Sequence, residues 1–428
     1  MERLMQYVWQ HRLLLHNDMT TVDGRHIAVI DPGRLNTDAG PDFFNAKVRI
    51  GDNMWVGDVE IHVRASDWHR HNHDGDPAYN SVILHVVDRD DAQIRRPNGE
   101  VIPQMTMNCD REFHIRYHQL VDRADLDLPC AAEIPSIPSL YLTDWLTGLA
   151  YERMHAKADH IMELLQEYTG DWEQTCYIVL ARALGFSTNS EPMERLAKSL
   201  PLRFLRKHSD SLTTLEALFF GQAGLLDKAP AHDPYVTQLI REHSFFAHKF
   251  SLRPLQPLGW KMARMRPHNF PHRRIALLAL LVSGDFRPVH RIIAMKPTEE
   301  ALQFFTRPLT GYWANHFTFS PGSERTYETL SKASAASLII NVAVPLMIAY
   351  GNAHGDEVLA QRGIEWLQQL PSENNSIVTL FGNAGIRSTN AFTSQALIQL
   401  RRNYCEKRKC LYCRLGHRLL ATQAKRSL

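Results

Sequence analysis

Residues 55–63 alternate apolar and polar side chains, and this pattern constrains the fold more than any other segment. Alternation with a period of two predicts a β-strand with one face packed on a core and the other facing solvent. The polar face would carry Asp58, Glu60 and His62, and Asp42 comes shortly before this strand. Carboxylates and an imidazole in this arrangement predict a solvent-facing site that can hold a divalent cation.

The pattern around this strand predicts a small mixed sheet followed by a long helical region. A helix is predicted at residues 2–15, strands at 26–31, 46–50, 54–63 and 81–87, a helix starting at Ser66, and a hairpin at 94–107. From residue 139 onward, helical periodicity dominates, after a proline-containing segment at 122–139 that is typical of a linker. We therefore predict an α+β protein with domains at residues 1–130 and 131–428.

Length and composition place the chain among globular proteins. Its 428 residues are enough for two or three domains, and 44% of them are hydrophobic. We expect no membrane span, because no run of 18 apolar residues is present. The first residues lack the features of a signal peptide, so we expect a cytoplasmic protein.

Charge is distributed unevenly along the chain. Residues 1–130 hold 21 acidic and 14 basic residues, whereas the remainder holds 25 acidic and 34 basic residues. Basic clusters interleaved with aromatic residues are typical of contacts to a nucleic-acid backbone. The residues that we expect to contact DNA or RNA are Lys261, Arg264, Arg266, Arg273, Arg274, Arg401 and Arg402. The alternative is that these clusters are solvated helix surfaces.

Two short motifs resemble those of the PD-(D/E)xK nuclease superfamily. Pro41-Asp42 is similar to its first motif, and Glu60-Ile61-His62 is similar to its second. The predicted element order is also similar, so the resemblance implies a restriction-endonuclease-like N-terminal domain. It further implies metal-dependent phosphodiester hydrolysis on DNA or RNA, with Asp42 and Glu60 as ligands of Mg²⁺ or Mn²⁺.

Asp58 could add a ligand to that site, and His62 would face the attacking water or the phosphate. Histidine stands where the superfamily usually has lysine, and it is a weaker point charge. The alternative is therefore a non-catalytic scaffold that binds nucleic acid or protein and has a decayed nuclease site. Asp42 and Glu60 should both face solvent, so replacing either one should leave the fold largely intact.

A group of histidines supports a third hypothesis. The group consists of His62, His69, His71, His73 and His85. Imidazoles at this density can bind Zn²⁺, Mn²⁺ or Fe²⁺, which would suit a hydrolase acting on a small molecule. One alternative is a histidine-rich surface loop. Another is that His71, His73 or His85 joins the carboxylate site as a phosphate contact or proton donor.

Three cysteines near the C-terminus have the spacing of metal ligands. Cys405, Cys410 and Cys413 are soft ligands that suit Zn²⁺ or an iron–sulfur cluster, and we expect a structural role for such a site. A fourth ligand is needed, and His417 would supply it as a Cys₃His zinc site. Cys109 or Cys130 could supply it instead.

The chain as a whole resembles an uncharacterised bacterial family built on a domain of unknown function. The segments that carry this resemblance are residues 40–43, 57–62, 66–68, 82–87, 267–271 and the terminal cysteine group. The resemblance runs from end to end and implies no activity.

Overall fold

A computed structural model describes two compact units of the chain. Unit 1 comprises Met1–Leu142 and Arg401–Leu428, and unit 2 comprises Thr143–Leu400. Residues 1–424 are described, except for 14–18, 37, 97, 108–114, 116, 121–126, 228, 231, 254, 256–258 and 328–329 and the side chains of 421–424. The α+β class is confirmed, because unit 1 holds a mixed sheet of six strands and unit 2 is largely helical.

Unit 1 is built on this sheet. Its elements are α1 (Glu2–His11), β1 (Ile27–Asp31), β2 (Arg34–Leu35), β3 (Phe43–Ile50), β4 (Asn53–Arg64), α2 (Asp67–Arg70), β5 (Val82–Arg89), β6 (Gln104–Thr106) and a C-terminal helix (Arg414–Ala424). The strand order is β1-β3-β4-β5-β6, and β2 pairs with β3. Strand β3 is antiparallel to both β1 and β4. Strand β5 is parallel to both β4 and β6.

The central strand β4 is covered on both of its faces. Val59 and Ile61 pack with the apolar face of α1 in the core of unit 1, as the alternation predicts. The polar face is also buried, since Glu60 is 5% exposed and His62 is 1% exposed. The expectation that this face looks into solvent is therefore wrong, because the loop after α2 places side chains such as His73 over it.

The connections of the sheet differ in detail from the predicted ones. Helix α1 ends at His11, because Arg12 adopts a left-handed conformation with φ of 51°. In the predicted hairpin, Arg95 and Val101 form an antiparallel bridge, and the chain then continues into β6 beside β5. Ser66 precedes α2 as predicted, but its hydroxyl donates to Asp91 at 2.8 Å and does not cap the helix.

Unit 2 is a bundle of helices around one apolar core. Its α-helices span Ser139–Glu167, whose first residues belong to unit 1, Trp172–Leu184, Ser190–Ser199, Leu202–Leu205, Leu212–Gln222, Pro234–Phe250, Pro271–Val282, Pro288–Ala294, Thr298–Phe305, Lys332–Leu338, Val344–His354, Glu357–Gln369, Ser376–Asn383 and Ala391–Gln399. The segment Lys332–His354 is long and apolar enough to span a membrane, but 72% of its apolar window is buried inside the protein. Such burial is typical of a core helix.

Two arginines that we expected at a nucleic-acid surface lie inside unit 2. Arg273 and Arg274 are 1% and 3% exposed. Arg273 Nη1 donates to the carbonyls of Trp313 at 2.8 Å and His316 at 3.0 Å, and the Arg274 guanidinium lies 4.6 Å from the ring centroid of Phe186. Burial lowers the pKa of Arg274 to about 9. The expectation is corrected for this pair, because carbonyl groups and aromatic rings from distant segments surround the two guanidinium groups in the core.

The close approach of β4 to β5 predicts a penalty for any side chain at Gly57. A Cβ atom there would lie 2.4 Å from Ile83 Cγ2 and 2.6 Å from the Ser81 carbonyl oxygen. Gly57→Ala should therefore lower the free energy of unfolding by about 1–3 kcal/mol, measured by urea denaturation. The control is Gly75→Ala, where nothing lies within 4 Å of the added atom and the change should stay below about 0.5 kcal/mol. Equal effects of the two variants would contradict this account of the β4–β5 packing.

Candidate functional site

The side chains of Asp42 and Glu60 lie side by side at the start of β3. The Asp42 backbone N–H donates to Glu60 Oε2 at 3.0 Å, and the Ile61 N–H donates to Asp42 Oδ2 at 3.1 Å. Gln6 of α1 donates its side-chain amide to Asp42 Oδ1 at 2.9 Å. The fold therefore brings together two carboxyl groups that are distant in sequence, as their motifs led us to expect.

Burial changes the protonation of both carboxyl groups. Burial raises the pKa of Asp42 to about 6, against the lowering effect of the hydrogen bonds from Gln6 and Ile61. Burial first, and the negative charge of Asp42 second, raise the pKa of Glu60 to about 9. Without a cation, Glu60 therefore holds a proton at neutral pH. Perturbed carboxyl groups of this kind cluster at functional sites.

Three imidazoles form a cluster, and two of them approach Glu60. One ligand atom from each of His62, His71 and His73 lies within 4.8 Å of the other two. Glu60 Oε1 lies 3.3 Å from His62 Nε2 and 3.5 Å from His73 Nε2. His62 is buried whereas His71 is exposed, so the cluster reaches the protein surface on the His71 side. Two or more imidazoles with a carboxylate are a donor set that suits Zn²⁺, Mn²⁺ or Fe²⁺.

A chain of hydrogen bonds behind His62 sets the tautomer of its ring. The Gln104 side-chain amide donates to Asp90 and to the Ala92 carbonyl oxygen, so Gln104 Oε1 faces His85 Nδ1 at 3.0 Å. Because this oxygen only accepts, His85 carries its proton on Nδ1, and its Nε2 accepts from His62 Nδ1 at 2.9 Å. His62 Nε2 then turns a lone pair toward the cluster, as a metal ligand needs.

The same burial keeps both of these rings neutral. Burial lowers the pKa of His62 to about 2, and the neighbouring imidazoles add to this effect. Burial likewise lowers the pKa of His85 to about 4, although the hydrogen bond with Gln104 opposes the shift. Neutral imidazole is the form that binds a metal ion.

Two predicted site residues make other contacts. Asp58 Oδ1 accepts from the Asn45 backbone N–H at 3.0 Å, and its Oδ2 accepts from the Ser81 hydroxyl at 2.5 Å. These bonds join β4 to the irregular start of β3 and to the turn before β5, which corrects the expectation that Asp58 adds a ligand. His69 Nδ1 lies 2.7 Å from Asp74 Oδ2 on the surface and does not join the other histidines.

Four residues that we did not predict from the sequence surround this site. They are Glu2, Gln6, Arg70 and Gln104. The negative charge of Glu2 contributes to the raised pKa of both carboxyl groups, and the charge of Arg70 helps to lower the pKa of His62. Glu2 and Gln6 are four residues apart on the polar side of an amphipathic helix, a spacing that could have indicated a shared face. No local pattern marks Gln104.

The predicted fourth ligand of the cysteine group makes a different contact. His417 Nδ1 lies 2.6 Å from the Tyr7 hydroxyl oxygen. Of the two alternatives, Cys109 lies outside the described residues. Cys130 packs against the core of unit 1 together with Cys410.

The other basic residues of the predicted nucleic-acid surface fall into two groups. Lys261, Arg264, Arg266 and Arg402 are exposed. Arg401 instead donates from Nη2 to Asp127 Oδ1 at 3.0 Å and lies 3.3 Å from Glu406. Arg401 is therefore engaged in ion pairs within unit 1. For the four exposed residues, contact with DNA or RNA stays a prediction.

The raised pKa of Glu60 predicts how stability depends on pH in the absence of divalent cations. The folded protein keeps the Glu60 proton up to about pH 9, whereas an unfolded glutamate loses it near its ordinary value of 4.5. The contribution of this group is complete below pH 4.5 and is lost as the pH rises toward 9. Glu60→Gln removes this loss, so its melting temperature in EDTA should exceed that of the wild type by a margin that grows from about pH 5 to pH 9. A constant difference in thermal melts across this range would contradict the prediction.

Comparison with known proteins identifies the family but no activity. No curated protein and no solved structure matches the chain. A family profile matches residues 2–376, so the expected resemblance to an uncharacterised family is confirmed for these residues, and the terminal cysteine group lies beyond the match. The chain therefore belongs to the family described as "Protein of unknown function (DUF2851)".

Proposed function

We propose that unit 1 is a metal-dependent phosphodiesterase that cleaves DNA or RNA at the cluster of Asp42, Glu60, His62, His71 and His73. The observation that carries this proposal is the pairing of half-buried Asp42 with buried Glu60 in front of His62. The sheet order around this pair supports the resemblance to PD-(D/E)xK nucleases, since β3 and β4 are antiparallel and β5 is parallel to β4. Membership of the family does not support any particular activity, because the function of the family is unknown.

The donor set favours Mn²⁺ over Mg²⁺ as the working ion. Glu60 lies within 3.5 Å of His62 and His73, and His71 Nδ1 lies 3.1 Å from His62 Nε2. Mg²⁺ prefers oxygen ligands, whereas Mn²⁺, Zn²⁺ and Fe²⁺ also accept imidazole. A bound ion would polarise the phosphoryl group and offset its developing negative charge.

The protein's own residues would hold the substrate and the ion in place. Glu60 and His62 lie on β4, which neighbouring strands flank on both sides, so their positions are well defined. His71 and His73 lie in the loop after α2, and His71 marks the exposed side through which a phosphodiester would enter. Arg70 is exposed on that side and pairs with Asp67 at 3.0 Å, so its guanidinium can contact a phosphate.

A second candidate function is hydrolysis of a small molecule by a zinc or iron enzyme. The histidine cluster favours it, because three imidazoles within 4.8 Å resemble the ligand set of a catalytic zinc site more than that of a magnesium site. The same ligands would serve both functions, so the substrate distinguishes them. A scaffold that binds DNA, RNA or protein without cleavage is the third candidate, since His62 replaces the usual lysine.

Cleavage assays test the proposal directly. Labelled single- and double-stranded DNA and RNA would be incubated with the protein in EDTA, Mg²⁺, Mn²⁺ or Zn²⁺. We expect cleavage in Mn²⁺ that Glu60→Gln and Asp42→Asn each reduce by at least about 100-fold, beyond the roughly 10- to 100-fold effect of a residue that only supports a ligand. The matched control is Glu216→Gln, which alters a buried carboxyl group of unit 2 with a pKa raised to about 7.

The remaining outcomes separate the candidates. Full cleavage by Glu60→Gln would show that the nuclease site lies elsewhere. Metal-dependent binding without cleavage would favour the scaffold. Hydrolysis of a chromogenic small ester or phosphate, with no action on nucleic acid and with loss in Glu60→Gln, would establish the second candidate.

The protonated state of Glu60 predicts a pH dependence of metal binding. A cation can bind the Glu60 carboxylate only after the proton leaves, and the pKa of this group is raised to about 9. The dissociation constant for Mn²⁺ should therefore fall about tenfold for each unit of pH between about 6 and 8, measured by calorimetry in the wild type. In Glu60→Gln the affinity should be lower and less dependent on pH. Equal slopes in the two proteins would exclude Glu60 as a ligand.

A further inference from the structure

Four cysteines from two segments that are distant in sequence belong to unit 1. Cys405, Cys410 and Cys413 lie in the C-terminal segment, and Cys130 lies before the helical unit begins. The Cys130 thiol interacts electrostatically with those of Cys410 and Cys413, and the Cys405 thiol interacts with the other three. None of these four described cysteines takes part in a disulfide. Cys130 and Cys410 also pack against the same apolar core.

The backbone of the C-terminal segment forms two turns that present these thiols. The Arg408 N–H donates to the Cys405 carbonyl at 3.1 Å, and the Cys413 N–H donates to the Cys410 carbonyl at 3.2 Å. The C-terminal helix begins directly after Cys413 and lies close against the second turn, because a Cβ on Gly416 would lie 2.1 Å from the Cys410 carbonyl oxygen. Two cysteines on one short turn before a helix are typical of a zinc ligand pair.

Other contacts hold the Cys130 segment beside these turns. Arg401 donates from Nη2 to Asp127 Oδ1 at 3.0 Å and from Nη1 to the Asp127 carbonyl. Cys410 Sγ lies 3.3 Å from the Leu120 carbonyl oxygen. Two contacts therefore join the residues before Cys130 to the C-terminal segment.

We propose that Cys130, Cys405, Cys410 and Cys413 bind one structural Zn²⁺ ion, with Cys130 as the fourth ligand instead of His417. Four sulfur ligands fill the tetrahedral shell of zinc and leave no position for a substrate, so the site would fasten the two segments together. Among the described residues, only the His62 cluster has three donor atoms within 4.8 Å. Binding would therefore draw the sulfurs closer, since zinc–sulfur bonds are about 2.3 Å long.

Nearby arginines suit the charge of such a site. Four thiolates around Zn²⁺ leave an excess of negative charge. Burial raises the pKa of the Cys405 and Cys410 thiols, and the positive charges of Arg401 on Cys405 and of Arg408 on Cys410 oppose this rise. This pairing gives part of the basic C-terminal segment a role that does not require nucleic acid.

Cobalt substitution of the full-length protein tests the ligand set. Thiolate ligands give Co²⁺ intense sulfur-to-metal charge-transfer absorption that the imidazoles and carboxylates of the His62 cluster do not give. We expect this absorption at about one equivalent of Co²⁺ in the wild type, in Cys176→Ser and in His417→Asn. In Cys130→Ser we expect a weaker absorption, because one thiolate ligand is lost. Cys176 is the matched control, because it is buried and is the only cysteine in the sequence between residues 143 and 400. Unchanged absorption in Cys130→Ser, or its loss in His417→Asn, would overturn the proposal.

Alkylation of the wild type tests the same site if Cys130→Ser fails to fold. With Zn²⁺ bound, Cys130, Cys405, Cys410 and Cys413 should resist iodoacetamide, and all four should react after a chelator is added, as read by peptide mass spectrometry. Protection of Cys109 in place of Cys130 would overturn the assignment of the fourth ligand. Iron and acid-labile sulfide in anaerobically purified protein would overturn the choice of zinc and indicate an iron–sulfur cluster.

Discussion

The burial of Glu60 beside Asp42 is the constraint on which the site in unit 1 depends. Two carboxyl groups that are removed from water and placed together cannot both ionise unless a proton or a cation compensates their charge. The fold holds both groups in place. Glu60 lies on a central strand, and Asp42 accepts hydrogen bonds from α1 and β4. The proton on Glu60 and the proposed metal ion are two ways to satisfy the same requirement.

The site has one half built on the sheet and one half in a loop. Glu60, His62 and His85 are held on paired strands, and Gln104 on β6 fixes the tautomers of the two rings. The loop after α2 supplies the other imidazoles and the exposed side of the cluster. A rigid half gives precise ligand positions, and a loop can adjust when an ion or a substrate arrives.

Much of the fold could be predicted because its signals are local. The alternation in β4, the apolar run of β5 and the change to helical periodicity after residue 139 each reflect packing of neighbouring residues. The predictions failed where a residue's surroundings come from distant segments. Arg273 is typical of a basic surface by its neighbours in sequence, yet carbonyl groups from residues 313 and 316 hold it inside the core.

The amino-acid sequence by itself determined the class of the fold and the face of β4 that carries Glu60 and His62, because both follow from periodicity along the chain. The spacing of the terminal cysteines can be read from it directly. Only the tertiary structure decided that this polar face is buried, that Asp58 joins strands, and that the segment before Cys130 contacts the C-terminal segment. Alternation places a side chain on one side of a strand, but a later part of the chain decides whether water or protein covers that side.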